Sequence, residues 1–97
     1  MQLRVGSGFD LHRLKAGRRF LLGGVEIPAP VGPYGHSDGD PLLHAVADAL
    51  LGAAALGDIG DHFPDNDPEW RDCPGDRLLQ LVVGKVTDAG YGVVNVD

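Results

Sequence analysis

The sequence predicts an α/β (α+β) domain, a small mixed β-sheet with helices packed on one face. Three observations carry that expectation. Residues 2–10 alternate apolar and polar at a period of two, residues 18–27 read as a hairpin, and residues 41–56 and 76–89 read as helices. At 97 residues the chain is one domain at most, and a domain of this size buries only about 60–65 % of its unfolded surface.

Each element follows from its residues. In residues 2–10, Leu3, Val5 and Phe9 fall on one face and are expected in the core, while Arg4, Gly6, Gly8 and Asp10 fall on the other. Continued extension places His12 beside Asp10. Leu11 joins the core side. Arg18-Arg19-Phe20-Leu21-Leu22 and Val25-Glu26-Ile27 flank Gly23-Gly24, whose glycines supply the positive φ angles of a tight two-residue turn. Pro28, Pro30 and Pro33 then predict an irregular segment leading away from the sheet. Asp40-Pro41 is a helix start, an acidic cap followed by proline at the first helical position. From 41 to 56 every residue is apolar or glycine except His44 and Asp48, so the helix is largely buried. An acidic loop broken by prolines spans 62–70. The second helix is expected to run from an Asp76 cap to about Ala89 and to stop at Gly90, and residues 91–96 read as a closing strand.

Composition narrows function. A formal net charge of -6 argues against a nucleic-acid surface. No apolar run is long enough to cross a bilayer. Cys73 is the single cysteine of these residues, so no disulfide is expected among them, and no leader is expected before the first patterned segment. A cytoplasmic protein is expected.

Asp10, His12 and His44 offer a carboxylate and two imidazoles, a donor set for zinc that leaves a fourth position open. Spacing alone does not decide it. D-x-H recurs by chance, and the same residues also read as a turn residue, a surface histidine and a satisfied core histidine. The apolar helix shifts the balance, because leaving His44 and Asp48 unpaired there costs on the order of 1–3 kcal/mol for each group. A metal on His44, with Asp48 or Asp58 accepting a ligand ring's other N–H, satisfies them. His36-Ser37-Asp38-Gly39-Asp40 places an imidazole, a hydroxyl and backbone N–H groups before a helix N-terminus, where phosphate is favoured. Taken alone, that loop reads first as an ordinary capped entry to the helix, and Gly57-Asp58-Ile59-Gly60 and Phe63-Pro64-Asp65-Asn66-Asp67 likewise as plain turns, although Asp58, Asp65 and Asp67 could bind the hydroxyls of a phosphate ester or help hold magnesium.

Gly8-Phe9-Asp10-Leu11-His12, Leu22-Gly23-Gly24-Val25-Glu26-Ile27-Pro28, the run from His36-Ser37-Asp38-Gly39-Asp40 through His44 to Gly57-Asp58-Ile59-Gly60, Phe63-Pro64-Asp65-Asn66-Asp67-Pro68 and the stretch from Gly90-Tyr91 to Asn95-Val96-Asp97 together resemble the 2-C-methyl-D-erythritol 2,4-cyclodiphosphate synthases of the non-mevalonate isoprenoid pathway. The resemblance covers the whole chain in order. It implies a trimer-forming fold with active sites between subunits. The implied lyase reaction converts 4-diphosphocytidyl-2-C-methyl-D-erythritol 2-phosphate to the cyclic diphosphate and CMP. It further implies zinc on Asp10, His12 and His44, and magnesium or manganese with the diphosphate. His36 would stabilise the transition state with Ser37 beside it, and Asp58, Ile59, Gly60, Phe63, Pro64, Asp65, Asn66 and Asp67 would hold the methylerythritol. Two departures stand out. Asn66 replaces a threonine common in such enzymes, and the carboxyl-terminal portion that completes the second metal site and the cytidine pocket is not in these residues. The alternative is a non-catalytic zinc-binding or oligomerisation module of the same fold; a zinc hydrolase is a third reading.

Overall fold

The computed structural model describes residues 2–97. Strands β1 (Arg13–Ala16), β2 (Phe20–Leu22), β3 (Val25–Ile27) and β4 (Val31–Tyr34) precede helices α1 (Pro41–Ala53), α2 (Ile59–His62) and α3 (Gly75–Asp88), with a 3₁₀ turn at Pro68–Trp70. The mixed α/β class is as expected. The sheet is divided into two antiparallel pairs, β1 with β4 and β2 with β3.

The β2–β3 hairpin forms where Gly23-Gly24 places it, with φ of 63° and 80° at the two glycines. The proline-rich segment differs from expectation. Residues 31–34 form β4, in register with β1 through Leu14↔Pro33 and Ala16↔Val31. In a two-stranded sheet each strand has a free edge, and there a proline's missing N–H removes nothing.

The core lies between α1 and α3 and consists of Ala47, Leu51, Ala54, Phe63, Cys73, Leu78, Val82 and Val86. Burial pushes the Cys73 thiol upward, which keeps it protonated and inert. Helix α1 stops at Ala53 rather than at 56. Ala55 turns left-handed (φ 58°), Leu56 N donates to Leu51 O (2.9 Å) and Ala55 N to Gly52 O (3.1 Å), a paired closure that ends the helix without glycine. Helix α3 ends as expected, with Gly90 at φ 94°. It begins one residue before Asp76, and Asp76 is not its cap. The Gly75 N–H donates instead to Asp38 Oδ2 at 2.7 Å, a cap supplied by the loop before α1.

The amino-terminal segment reverses the expected facing. Residues 2–10 join no sheet, and Leu3, Val5 and Phe9 are 74 %, 93 % and 79 % exposed. Gly6 and Gly8 take the inner side instead. A Cβ on Gly6 would strike Ala49 O, and one on Gly8 would strike Ala45 O. The alanine face of α1 lets backbone approach backbone, and only residues without side chains fit there. Leu11 also points out (82 % exposed). Residues 91–97 likewise form no paired strand, though Arg4 lies over the Tyr91 ring at 4.9 Å and brings the two ends together.

This contact fixes where Asp10 can be. Gly8→Ala is expected to destabilise the fold by about 1–3 kcal/mol through over-packing and to lower metal occupancy at Asp10. Urea unfolding and metal analysis check both; unchanged stability would mean the segment does not dock as described.

Candidate metal centre

Three side chains from two segments converge on one point. The segment pinned by Gly8 delivers Asp10 and His12, and α1 delivers His44 from its first turns. One ligand atom from each lies within 4.8 Å of the other two. His12 Nδ1 stands 2.6 Å from Asp10 Oδ2, and His44 Nδ1 stands 3.8 Å from the same oxygen. The rings of His12 and His44 are tilted at 46° with centroids 5.6 Å apart.

The decisive detail concerns Asp10 Oδ2 and His12 Nδ1. Both atoms are buried, and despite their proximity neither has a hydrogen-bond partner. Buried polar atoms are rarely left so, because each costs about 1–3 kcal/mol. Two lone pairs facing one point with a third nitrogen nearby fit a divalent cation. One carboxylate oxygen and two imidazole nitrogens suit zinc and leave a position for a ligand.

Electrostatics are consistent with that use. Burial raises the Asp10 carboxyl above its ordinary value, opposed by His12 and His44. Burial also lowers His44, opposed by Asp10 and Asp38, so the ring is neutral at neutral pH and can ligate.

His44 is steadied from behind by the 35–40 loop. With Nδ1 toward Asp10, its Nε2–H donates to Ser37 Oγ at 3.1 Å, and Asp38 Oδ1 lies 3.9 Å from the same nitrogen. The Ser37 hydroxyl hydrogen then remains free to donate outward. This corrects the expectation for Asp48 and Asp58. Among the described residues no ion pair joins either to a histidine. Asp48 Oδ1 accepts from Ile59 N at 2.8 Å and ties α1 to α2. Asp58 caps α2 in a reciprocal box with Asp61: its Oδ1 accepts from Asp61 N at 2.9 Å and its backbone N–H donates to Asp61 Oδ2 at 3.1 Å.

A cavity of about 340 Å³ opens beside the three ligands. Of the expected ligand-holding residues, Asp10, His12, His36, Ser37, Ile59, Gly60, Phe63 and Asp65 line it. His36 Nε2–H donates to the Asp67 carbonyl at 2.9 Å, so Asp67 holds the ring while its own carboxylate accepts from Glu69 N at 3.0 Å. Asp58, Pro64, Asn66 and Asp67 are neighbours of the wall rather than part of it. The sequence reading missed Tyr34 and Trp70 as lining residues. Trp70 braces Phe63 edge-on, with centroids 4.8 Å apart. Nothing in residue pattern distinguishes that pairing from ordinary core. Asp38 was legible only as part of its loop, yet it accepts from Asp40 N at 3.0 Å as well as from Gly75 N.

Comparison with known proteins gives one consistent answer. Residues 3–97 match the YgbB family. The chain is 59 % identical over 95 residues to the 2-C-methyl-D-erythritol 2,4-cyclodiphosphate synthase of Salinibacter ruber, covering 98 % of this chain and 60 % of the relative. It is 56 % identical over 97 residues to that of Dechloromonas aromatica, covering 100 % and 61 %. A solved 2C-methyl-D-erythritol-2,4-cyclodiphosphate synthase in a CDP-bound form superposes with a TM-score of 0.81 at 49 % identity, covering 90 % of this chain and 58 % of that one. The bifunctional IspDF from Campylobacter jejuni superposes with a TM-score of 0.87 at 42 % identity, covering 95 % and 25 %. The chain thus spans about 60 % of the length of the curated relatives it matches.

Proposed function

This chain belongs to the YgbB family, and from that premise we propose that it is the metal-ligand-bearing part of a 2-C-methyl-D-erythritol 2,4-cyclodiphosphate synthase. The substrate is 4-diphosphocytidyl-2-C-methyl-D-erythritol 2-phosphate, and the products are the cyclic diphosphate and CMP. The substrate's 2-phosphate oxygen forms a bond to the β-phosphorus. The bond from that phosphorus to the oxygen shared with the α-phosphorus breaks, and its electrons leave with CMP. No water, oxidant or covalent protein intermediate enters.

The observation that carries this reading is the pair of unpartnered buried atoms, Asp10 Oδ2 and His12 Nδ1, beside His44 at the edge of the cavity. Asp10, His12 and His44 would hold zinc. Bound there, it supplies Lewis-acid polarisation and charge neutralisation for the diphosphate, which an acidic protein needs. The chain's own groups do the positioning. The Ser37 hydroxyl donates to phosphate, the His36 ring stabilises charge in the transition state, and Ile59, Gly60, Phe63 and Asp65 hold the methylerythritol. Orientation of an intramolecular attack can supply several kcal/mol of the barrier. A magnesium or manganese ion would accompany the diphosphate and offset its charge, as phosphates commonly bind such ions.

Residues 1–97 form one domain of a homotrimer that places each active site between subunits, and the protein is cytoplasmic. The exposed Leu3, Val5 and Phe9 support the trimer reading as a surface needing cover. Among the described residues no helix is long and apolar enough to cross a membrane.

The test is metal removal on the whole protein carrying this chain. Dialysis against a chelator is expected to abolish CMP release, and stoichiometric zinc with magnesium should restore it. Full activity in the metal-free protein would overturn the reading. A linear hydrolysis product in place of the cyclic diphosphate would point to a zinc hydrolase instead.

A further inference from the structure

We propose that Arg18 is a positioning residue that clamps the His36–Ser37 loop against the site. The inference rests on the function proposed above for that loop. Arg18 precedes β2 and does not line the cavity. Its guanidinium nevertheless reaches three carbonyls on the far side of the loop. Nε donates to Pro33 O at 3.2 Å, and one terminal nitrogen donates to Ser37 O at 3.1 Å and to Gly35 O at 3.4 Å. The Gly35 and Ser37 carbonyls bracket His36.

The loop needs such a hold. Residues 35–40 belong to no strand or helix. Gly35 and Gly39, the latter at φ 75°, leave the backbone free to turn. From the other side, among the described residues, two backbone bonds tether it, Asp72 N to His36 O at 2.8 Å and Asp38 N to Cys73 O at 3.1 Å, beside the His36 ring's bond to Asp67 O and the Gly75 N–H bond to the Asp38 carboxylate. A rigid planar fork with several donors matches spaced carbonyls, whereas a lysine ammonium concentrates its donors at one point.

Arg18 is also set apart from its neighbour by charge. Arg19 pairs with Glu26 at 3.3 Å, but among the described residues no carboxylate lies within ion-pair distance of Arg18. Its charge therefore stays uncompensated by any acid, half-buried against the loop and over the Tyr34 ring at 5.6 Å. Tyr34 in turn lines the cavity. Rotation of the loop would move the His36 ring and the Ser37 hydroxyl together, so one arginine sets two groups.

The test uses Arg18→Ala and Arg18→Lys in the whole metal-loaded protein. At saturating zinc, Arg18→Ala is expected to lower kcat for CMP release about ten- to hundredfold, as misplacement of positioned groups does, with a smaller change in KM. Added guanidinium ion should restore part of kcat to Arg18→Ala and none to Arg18→Lys. In the ligand-free protein the His36 ring NMR signals should shift in Arg18→Ala. An unmoved His36 signal or a kcat within twofold of the parent would overturn the clamp, as would a loss that follows only the melting temperature. Absence of CMP release by the parent protein would instead sink the function reading, and the His36 signal would still decide the clamp.

Discussion

His44→Ala is expected to abolish stable metal binding and, with it, CMP release. The ring is 3 % exposed and contributes one of three donor groups. Changing residues that merely orient a metal ligand costs 10–100-fold in affinity or activity; removing a ligand should cost more than about a hundredfold. Asp10 and His12 alone would leave a two-donor site, too few for a retained catalytic zinc. Metal analysis after dialysis, together with CMP assay of the whole protein, checks this. Normal zinc content with normal turnover would refute the assignment.

The same site predicts a direction in pH. Burial holds His44 below its ordinary value of 6.5, so the neutral, ligating ring persists to lower pH than an exposed histidine would allow. A group with a lowered folded value favours the folded site above the unfolded value, and that contribution is lost as pH falls toward the folded value. Metal release on acidification should therefore begin below about 6.5. Release at mildly alkaline pH would contradict it.

Much of the site was legible because its chemistry is local. Asp10-Leu11-His12 needs only that residues two apart share a side, and the two side chains do meet, with His12 Nδ1 2.6 Å from Asp10 Oδ2. His44 stood out as a polar residue on an apolar helix. The outer supports were not legible, because they arise from contacts between distant segments. Asp48 and Asp58 read as histidine partners by spacing, but backbone N–H groups of α2 claim both, Asp48 through Ile59 and Asp58 through Asp61. Asp38 took the expected place of Asp76 at the start of α3, 37 residues away in sequence. The facing of residues 2–10 failed for a related reason. Alternation identifies two faces but not which one a helix will cover, and here the alanine surface of α1 selected the glycine side. β4 escaped notice because prolines mark a turn more often than the edge of a two-stranded sheet.

Asp40→Ala is expected to be the most destabilising single change outside the hydrophobic core. Asp40 was predicted as a helix cap and is fully buried, at 0 % exposure. Its Oδ1 accepts from Leu43 N at 3.1 Å and Gly23 N at 3.0 Å, and its Oδ2 accepts from Gly24 N at 2.7 Å. One carboxylate thus caps α1 and fastens the β2–β3 turn to it. Truncation removes the cap, worth about 0.5–2 kcal/mol. It also removes the acceptor of the half-buried Gly23 N–H and the exposed Gly24 N–H, and water takes over part of each bond. With the cap lost and the turn bonds partly replaced by water, a loss of about 2–3 kcal/mol is expected, a sizeable share of the 5–15 kcal/mol typical of a folded domain. Asp40→Asn separates the two roles. Its amide oxygen can keep the bonds to Leu43 and Gly23, but the NH₂ group faces the Gly24 N–H donor to donor. It should fall between the parent and Asp40→Ala. Urea unfolding of the three proteins measures the order, and a loss under about 1 kcal/mol for Asp40→Ala would show that water replaces the turn bonds in full. Because Asp40 closes the 35–40 loop at its helix end, the Asn variant should also loosen Ser37 from His44. Its zinc affinity is then expected to fall more steeply than its stability.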